Sequence, residues 1–244
     1  MVNNIKCLYA NGCSWTAGDE IMPPEGEVQD LVNYRYHNSW PGYLANNLGI
    51  PLWVNEGMGA TGNHRIFRRT NDFIFNWIGQ GKDPKNLLII IGWSTPERAE
   101  IAFPGGIRPL LVSSPGIIQT KNPDYMSYND MLEEYYKAYY NVYDEQYGKQ
   151  ATARYMLNLR LLCKGLGIKY YDFVAVGYWP RDWEPIADKY GLPYIENTLS
   201  EYIAWQGVVR RDNLPVHKYL HPTKEVHKLW ADELAKEILI KEAK

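Results

Sequence analysis

The chain has 244 residues, 45% hydrophobic and 22% charged, with a formal net charge of -2. That length and composition suit a single α/β domain over 1–244 with a substantial core, and the balanced charge excludes the electrostatic footprint of a nucleic-acid binder or a protein held on an anionic membrane. Three scattered cysteines, Cys7, Cys13 and Cys163, are too few for a disulfide framework and lack metal-ligand spacing, so neither a metal nor another cofactor is expected.

In chain order, Lys6 to Ala10 reads as a short buried strand stopped by the turn signal Asn11-Gly12. Gly18 and the Pro23-Pro24-Glu25-Gly26 cluster predict a loop before the next helix. That helix lies within Trp40–Gly49, with Leu44 and Leu48 on one face and Gly49 as its stop. Leu52 to Asn55 is a second strand. The glycine-rich turn Gly57-Met58-Gly59-Ala60-Thr61-Gly62-Asn63 feeds a helix from about His64 to Ile78, with Ile66, Ile74 and Ile78 as inward candidates.

Leu87-Leu88-Ile89-Ile90-Ile91-Gly92 is continuously apolar, the signature of a central parallel strand covered on both faces. From Phe103 to about Tyr128 four prolines and weak periodicity predict a long loop excursion over the domain. Asn129 to Gly165 is helical in character, with an interruption expected at Gly148. Ile168 to Val176 supplies a fourth strand, and Pro193-Tyr194-Ile195 is the candidate for a fifth. Pro222 through Lys241 closes the chain as a helix, with Pro222 expected at its first position. Strands alternating with helices predict an α/β fold on a mostly parallel, doubly wound sheet of about five strands, whose ligands bind outside the carboxyl ends of the strands.

On that architecture Ser14, the Gly57–Asn63 turn and the Gly92–Thr95 turn each follow a parallel strand and meet at one rim of the sheet. A serine hydroxyl needs a neighbouring base, and histidine is the side chain best suited to take its proton and return it to a leaving group. His221, placed before the last helix, fits that need; His217 and His227 are alternatives. Negative charge on a substrate oxygen needs preorganised donors, which the backbone of a glycine turn at Gly59 can supply.

Gly12-Cys13-Ser14-Trp15-Thr16, Gly57-Met58-Gly59-Ala60-Thr61 and His221 resemble, in this order, the blocks of the SGNH (GDSL-like) hydrolases. The form Gly-Cys-Ser-aromatic-Thr, followed by Trp40-Pro41, Asn63 to Ile66 and Trp93 to Arg98, is most similar to a divergent branch common in bacteriophage genomes. The resemblance implies a flavodoxin-like three-layer α/β/α sandwich, Ser14 as nucleophile, His221 as base, and the N–H of Gly59 in the oxyanion hole. Two positions depart from the pattern. Ser94 stands where the family has an oxyanion asparagine, with Asn63 as an alternative donor, and Lys218 stands where it has the acid three residues before the histidine. A backbone carbonyl, Asp212 or Glu225 is left to orient His221.

The expected activity is hydrolysis of an ester in a small molecule or glycan, with a mild preference for an acetylated carbohydrate, and with Trp15, Trp93 and Arg98 as substrate contacts. Trp93 and Trp15 read equally well as packing at the top of the sheet, and Arg98 with Glu97 as an ion pair fixing the loop. The competing expectation is a structural or binding protein on a decayed scaffold, such as a phage virion component. The sequence holds 20 Tyr and 9 Trp against 5 Phe, a bias toward amphipathic rings that suits aromatic-lined grooves or a homo-oligomer or larger assembly. Met1 to Lys6 lacks signal-peptide character and no apolar run reaches membrane-spanning length, so the expected location is the cytoplasm or a virion assembled there.

Overall fold

Four strands, β1 (Cys7–Gly12), β2 (Leu52–Asn55), β3 (Leu87–Trp93) and β6 (Lys169–Val174), form a parallel sheet in the order β2-β1-β3-β6 in the computed structural model. The structure describes residues 4–19, 21–24, 30–103, 106–110, 129–176 and 221–243. The fifth strand expected at Pro193–Ile195 lies outside them.

The period-2 alternation of the central strands sorts their side chains into two cores. Leu8, Ala10, Leu88, Ile90, Tyr171 and Phe173 face one layer, built by α3 (Trp40–Leu48) and α7 (Lys224–Glu242). Cys7, Tyr9, Leu87, Ile89, Ile91 and Trp93 face the other, built by α4 (Asn63–Gly79) and α6 (Glu145–Leu166). This is an α/β/α sandwich with both faces of its parallel sheet covered. All seven residues of β3 are buried, as its unbroken apolar run requires.

The helices follow local signals. α3 starts at Ser39 with Pro41 in its first turn and ends on Gly49, whose φ of 65° lets its N–H close onto Ala45 and Asn46. In α4 the inward positions are Ile66, Thr70, Ile74 and Trp77; Ile78, expected inside, is 37% exposed because Trp77 takes the inward place one residue earlier.

Five points are corrected. A short helix α1 (Ser14–Ala17) begins directly after the first strand and stops at Gly18 in a left-handed conformation, so the loop starts later than expected. α2 (Leu31–Asn38) was not expected at all. Phe103 to Leu110 is not loop throughout, because β4 (Ala99–Phe103) and β5 (Gly106–Leu110) pair antiparallel; 111–128 lies outside the described residues. The helical stretch from residue 129 breaks between α5 (Asn129–Val142) and α6, where Asp144 caps α6, and Gly148 lies buried inside α6. Finally, α7 starts at Lys224 behind an extended Thr223, two residues beyond Pro222. Among the described residues no helix is long and apolar enough to cross a membrane.

The chain runs from β1 to β2 on one side, then returns to place β3 on the other side of β1. The strand order therefore reverses at β1, and the loops after β1 and β3 diverge there to leave the crevice in which such sheets bind ligands.

Candidate active site

Ser14 sits at that reversal, as the first residue of α1 immediately beyond β1, and is 8% exposed. Its position rests on Gly12. A methyl group at Gly12 would lie 2.1 Å from Thr16 Oγ1 and 2.7 Å from the carbonyl oxygen of Gly92, so the turn closes only with glycine at residue 12 and a side chain folded back from Thr16. The motif spacing Gly12-x-Ser14-x-Thr16 is thus a packing unit. Gly12→Ala is expected to cost about 1–3 kcal/mol as overpacking, measured by urea denaturation. Adding Thr16→Ala should recover only part of that loss, since the clash with Gly92 remains; full recovery would contradict this account.

The Gly57–Asn63 turn packs against α1. A methyl group at Gly57 would meet Ala17 N at 2.5 Å, and one at Gly59 would meet Asp19 Oδ2 at 2.5 Å. Met58 N–H donates to Gly12 O, which ties the second loop to the first, and Ala60 follows with a φ of 61°. The backbone N–H groups of Ser14 and Gly59 donate to no acceptor among the described residues. Both therefore remain available to an oxygen placed between these loops.

The third loop is braced from α4. Asn63 Oδ1 accepts from Ser94 N at 2.8 Å, while Asn63 Nδ2 donates to Ser94 O at 2.8 Å and to Thr152 Oγ1 at 3.0 Å. Both amide hydrogens are thereby used, which leaves Asn63 as the clamp that holds Ser94 in place. Ser94 Oγ accepts from Arg98 Nη1 at 2.9 Å and keeps its own proton to donate. Arg98 is accordingly a partner of Ser94, with its carbonyl pressed on Gly62.

Trp93, expected as a substrate contact, is fully buried, and its Nε1 donates to Asp172 Oδ2 at 3.1 Å; it has no surface to offer a ligand. Trp15 is partly buried against the core on the α3–α7 side. Cys13 is buried in that same core, as expected of a small apolar side chain.

His221 is partly buried just before α7. Helices covering a parallel sheet run against its strands, so the N-terminal ends of α3 and α7 lie at the carboxyl rim that carries Ser14. Contacts bear this out. Asn55, at the end of β2, donates from Nδ2 to Thr16 O at 2.9 Å and to Ser39 Oγ at 3.1 Å, and the next residue, Trp40, donates its N–H to His227 Nδ1 at 3.2 Å. A chain of hydrogen bonds thus joins α1, α3 and α7. Asn55, Ser39 and His227 were not singled out for this work by the sequence; a polar residue ending a strand was the available signal. Among the described residues no hydrogen bond joins Ser14 Oγ to a histidine nitrogen. Lys218, Asp212 and His217 lie outside the described residues.

His227 is withdrawn from competition as a base. It is 1% exposed, and burial, assisted by the charge of neighbouring His221, pushes its pKa from 6.5 to about 3. The unfolded chain takes up this proton below pH 6.5, whereas the folded chain does so only near pH 3. Native stability is therefore fully present above pH 6.5 and falls by about 1.4 kcal/mol per unit as the pH drops through that window. Between pH 7 and pH 5, His227→Gln is expected to lose about 2 kcal/mol less than the parent in urea denaturation; equal losses would remove His227 as the cause.

A family model described as a family of unknown function, DUF6071, matches residues 19–185. The chain belongs to that family. The segment matched in this DUF6071 protein includes Asn55, Gly59, Asn63, Ser94 and Arg98, while Ser14 and His221 lie to either side of it. No curated protein matches the chain. Among solved structures, this DUF6071 protein is similar to the psychrotrophic esterase EstA from Pseudoalteromonas sp., at 11% identity and a TM-score of 0.52, over 98% of this chain and 100% of that one. It is similar to a member of the lipolytic G-D-S-L family from Veillonella parvula, at 11% identity and 0.51, over 94% and 96%. It is also similar to a catalytic mutant of Axe2, an acetylxylan esterase from Geobacillus stearothermophilus, at 15% identity and 0.51, over 96% and 94%. The DUF6071 protein thus has the fold of the SGNH hydrolases.

Proposed function

We propose that the protein is a serine ester hydrolase with a preference for an acetylated carbohydrate. Ser14 Oγ attacks the acyl carbonyl while His221 takes its proton, and the N–H groups of Ser14 and Gly59 with the Ser94 hydroxyl receive the oxyanion. As the carbon–oxygen bond to the alcohol breaks, His221 protonates the departing oxygen. Water, deprotonated by the same ring, then releases the acid and restores Ser14. The observation that carries this reading is the pair of unengaged N–H groups, on Ser14 and Gly59, at the reversal of strand order. The acetyl preference draws its support from the likeness to Axe2.

A non-catalytic scaffold is favoured by one observation, that among the described residues no histidine hydrogen-bonds Ser14 Oγ. Ligand-free sites often hold such bonds long, to be tightened on binding. Labelling by a fluorophosphonate probe separates the two readings: stoichiometric labelling, lost in Ser14→Ala, is expected of the hydrolase. A folded, pure sample that takes no label would leave the scaffold.

A further inference from the structure

A cavity of about 280 Å³ opens beside α1, with Asp19, Arg35, Tyr36, Val32, Met58 and Gly59 in its wall. It shares Gly59 with the loop assigned above to the oxyanion and shares α1 with Ser14. Ala17 also lines it, and at 1.5 Å rise per helical residue lies only about 4.5 Å along the helix axis from Ser14. A group attached to an acyl carbon held at Ser14 and Gly59 has this cavity as its neighbour.

The wall describes its occupant. Arg35 Nη1 stands 3.9 Å from Asp19 Oδ1, so the two charges offset each other and the cavity favours a neutral guest. Arg35 Nε donates to Ile21 O at 3.2 Å and Nη2 approaches Met22 Sδ at 3.8 Å, which pins the guanidinium plane. The Tyr36 hydroxyl is already donated to Trp53 O. Val32 and Met58, 79% and 39% exposed, add an apolar side. Fixed cationic donors, a carboxylate and an apolar side together suit a ring with hydroxyl groups on its edge and C–H groups on its face. The volume falls just below the range of sites that enclose drug-sized ligands, enough for one such ring.

Resting on the hydrolase reading, we propose that this cavity is the leaving-group subsite, and that it takes one uncharged monosaccharide unit bearing the acyl group. The test compares a monoacetylated methyl xylopyranoside with p-nitrophenyl acetate, whose leaving group has no hydroxyls to spare. In Arg35→Met, the ratio of kcat/KM for the sugar ester to that for p-nitrophenyl acetate is expected to fall at least about tenfold, through KM. Val32→Trp, which fills the mouth without removing a hydrogen bond, should lower the same ratio if Arg35→Met fails to fold. Unchanged ratios in folded variants overturn the subsite.

A parent protein inert toward both esters and unlabelled by the fluorophosphonate would instead overturn the hydrolase reading. The cavity is then decided by calorimetric titration of the sugar ester into the Ser14→Ala protein. Binding lost on adding Arg35→Met supports a sugar site there. No binding, or binding unaffected by Arg35→Met, removes it.

Discussion

Asp172→Ala is expected to lower stability by about 3–5 kcal/mol, enough to leave the protein largely unfolded at moderate temperature. Asp172 is fully buried on β6 and accepts from Arg160 Nε at 3.0 Å, Trp93 Nε1 at 3.1 Å and the Tyr170 hydroxyl at 2.9 Å, with a further bond from Arg160 Nη2 to its other oxygen. Removing the carboxylate takes the counter-charge from a guanidinium that is itself 1% exposed and strips two neutral donors of their acceptor. Burial and the adjacent carboxylate push the Tyr170 hydroxyl well above its ordinary pKa, so it stays protonated as a donor.

Replacing both charged partners by apolar residues, as in Arg160→Met with Asp172→Leu, should cost less than Asp172→Ala alone, because no charge is then left buried. Urea denaturation of the parent and these two variants checks the ordering. A loss below about 1 kcal/mol in Asp172→Ala would mean that solvent reaches this network. Since Trp93 precedes Ser94, the network also sets where the third loop leaves the sheet.

The elements that the sequence announced are those whose burial is one-sided or complete along the chain. β3 could be read because Leu87 to Ile91 carry no polar residue, and α3 because its proline, leucines and terminal glycine agree. α2 was invisible for the opposite reason: Leu31 to Asn38 bury no residue, and the helix is fixed from outside by the Asp30 cap and by Arg35 reaching Ile21. Pro109 hid β5, since proline argues against a strand, yet a two-stranded hairpin tolerates it opposite Glu100.

Within the candidate site, Ser14 and the glycine turn were legible because they end strands. The division of labour between Asn63 and Ser94 was not. Which of two polar residues donates outward and which is consumed as a brace depends on Thr152, 89 positions away from Asn63. Trp93 was ambiguous for a related reason: a ring at the end of a buried strand turns inward when a buried carboxylate waits for its N–H, and Asp172 is 79 residues further on.

Whether Ser14 and His221 act as one unit is a question with a large numerical answer. A positioned general base contributes about 10²–10⁴-fold, so His221→Ala is expected to lower kcat on p-nitrophenyl acetate by a factor in that range, and Ser14→Ala by at least as much. The lower half of the range is the better expectation for His221, because the residue three positions before it is Lys218, not a carboxylate that could hold the ring in its productive tautomer. If the two side chains share one proton transfer, the base has nothing to do once the hydroxyl is gone, and the double variant is no slower than Ser14→Ala alone. Independent contributions would instead multiply, placing the double variant at least about 10²-fold below either single one. Multiplication would assign Ser14 a different base, and the absence of a hydrogen bond between Ser14 and His221 would then be a property of the working site.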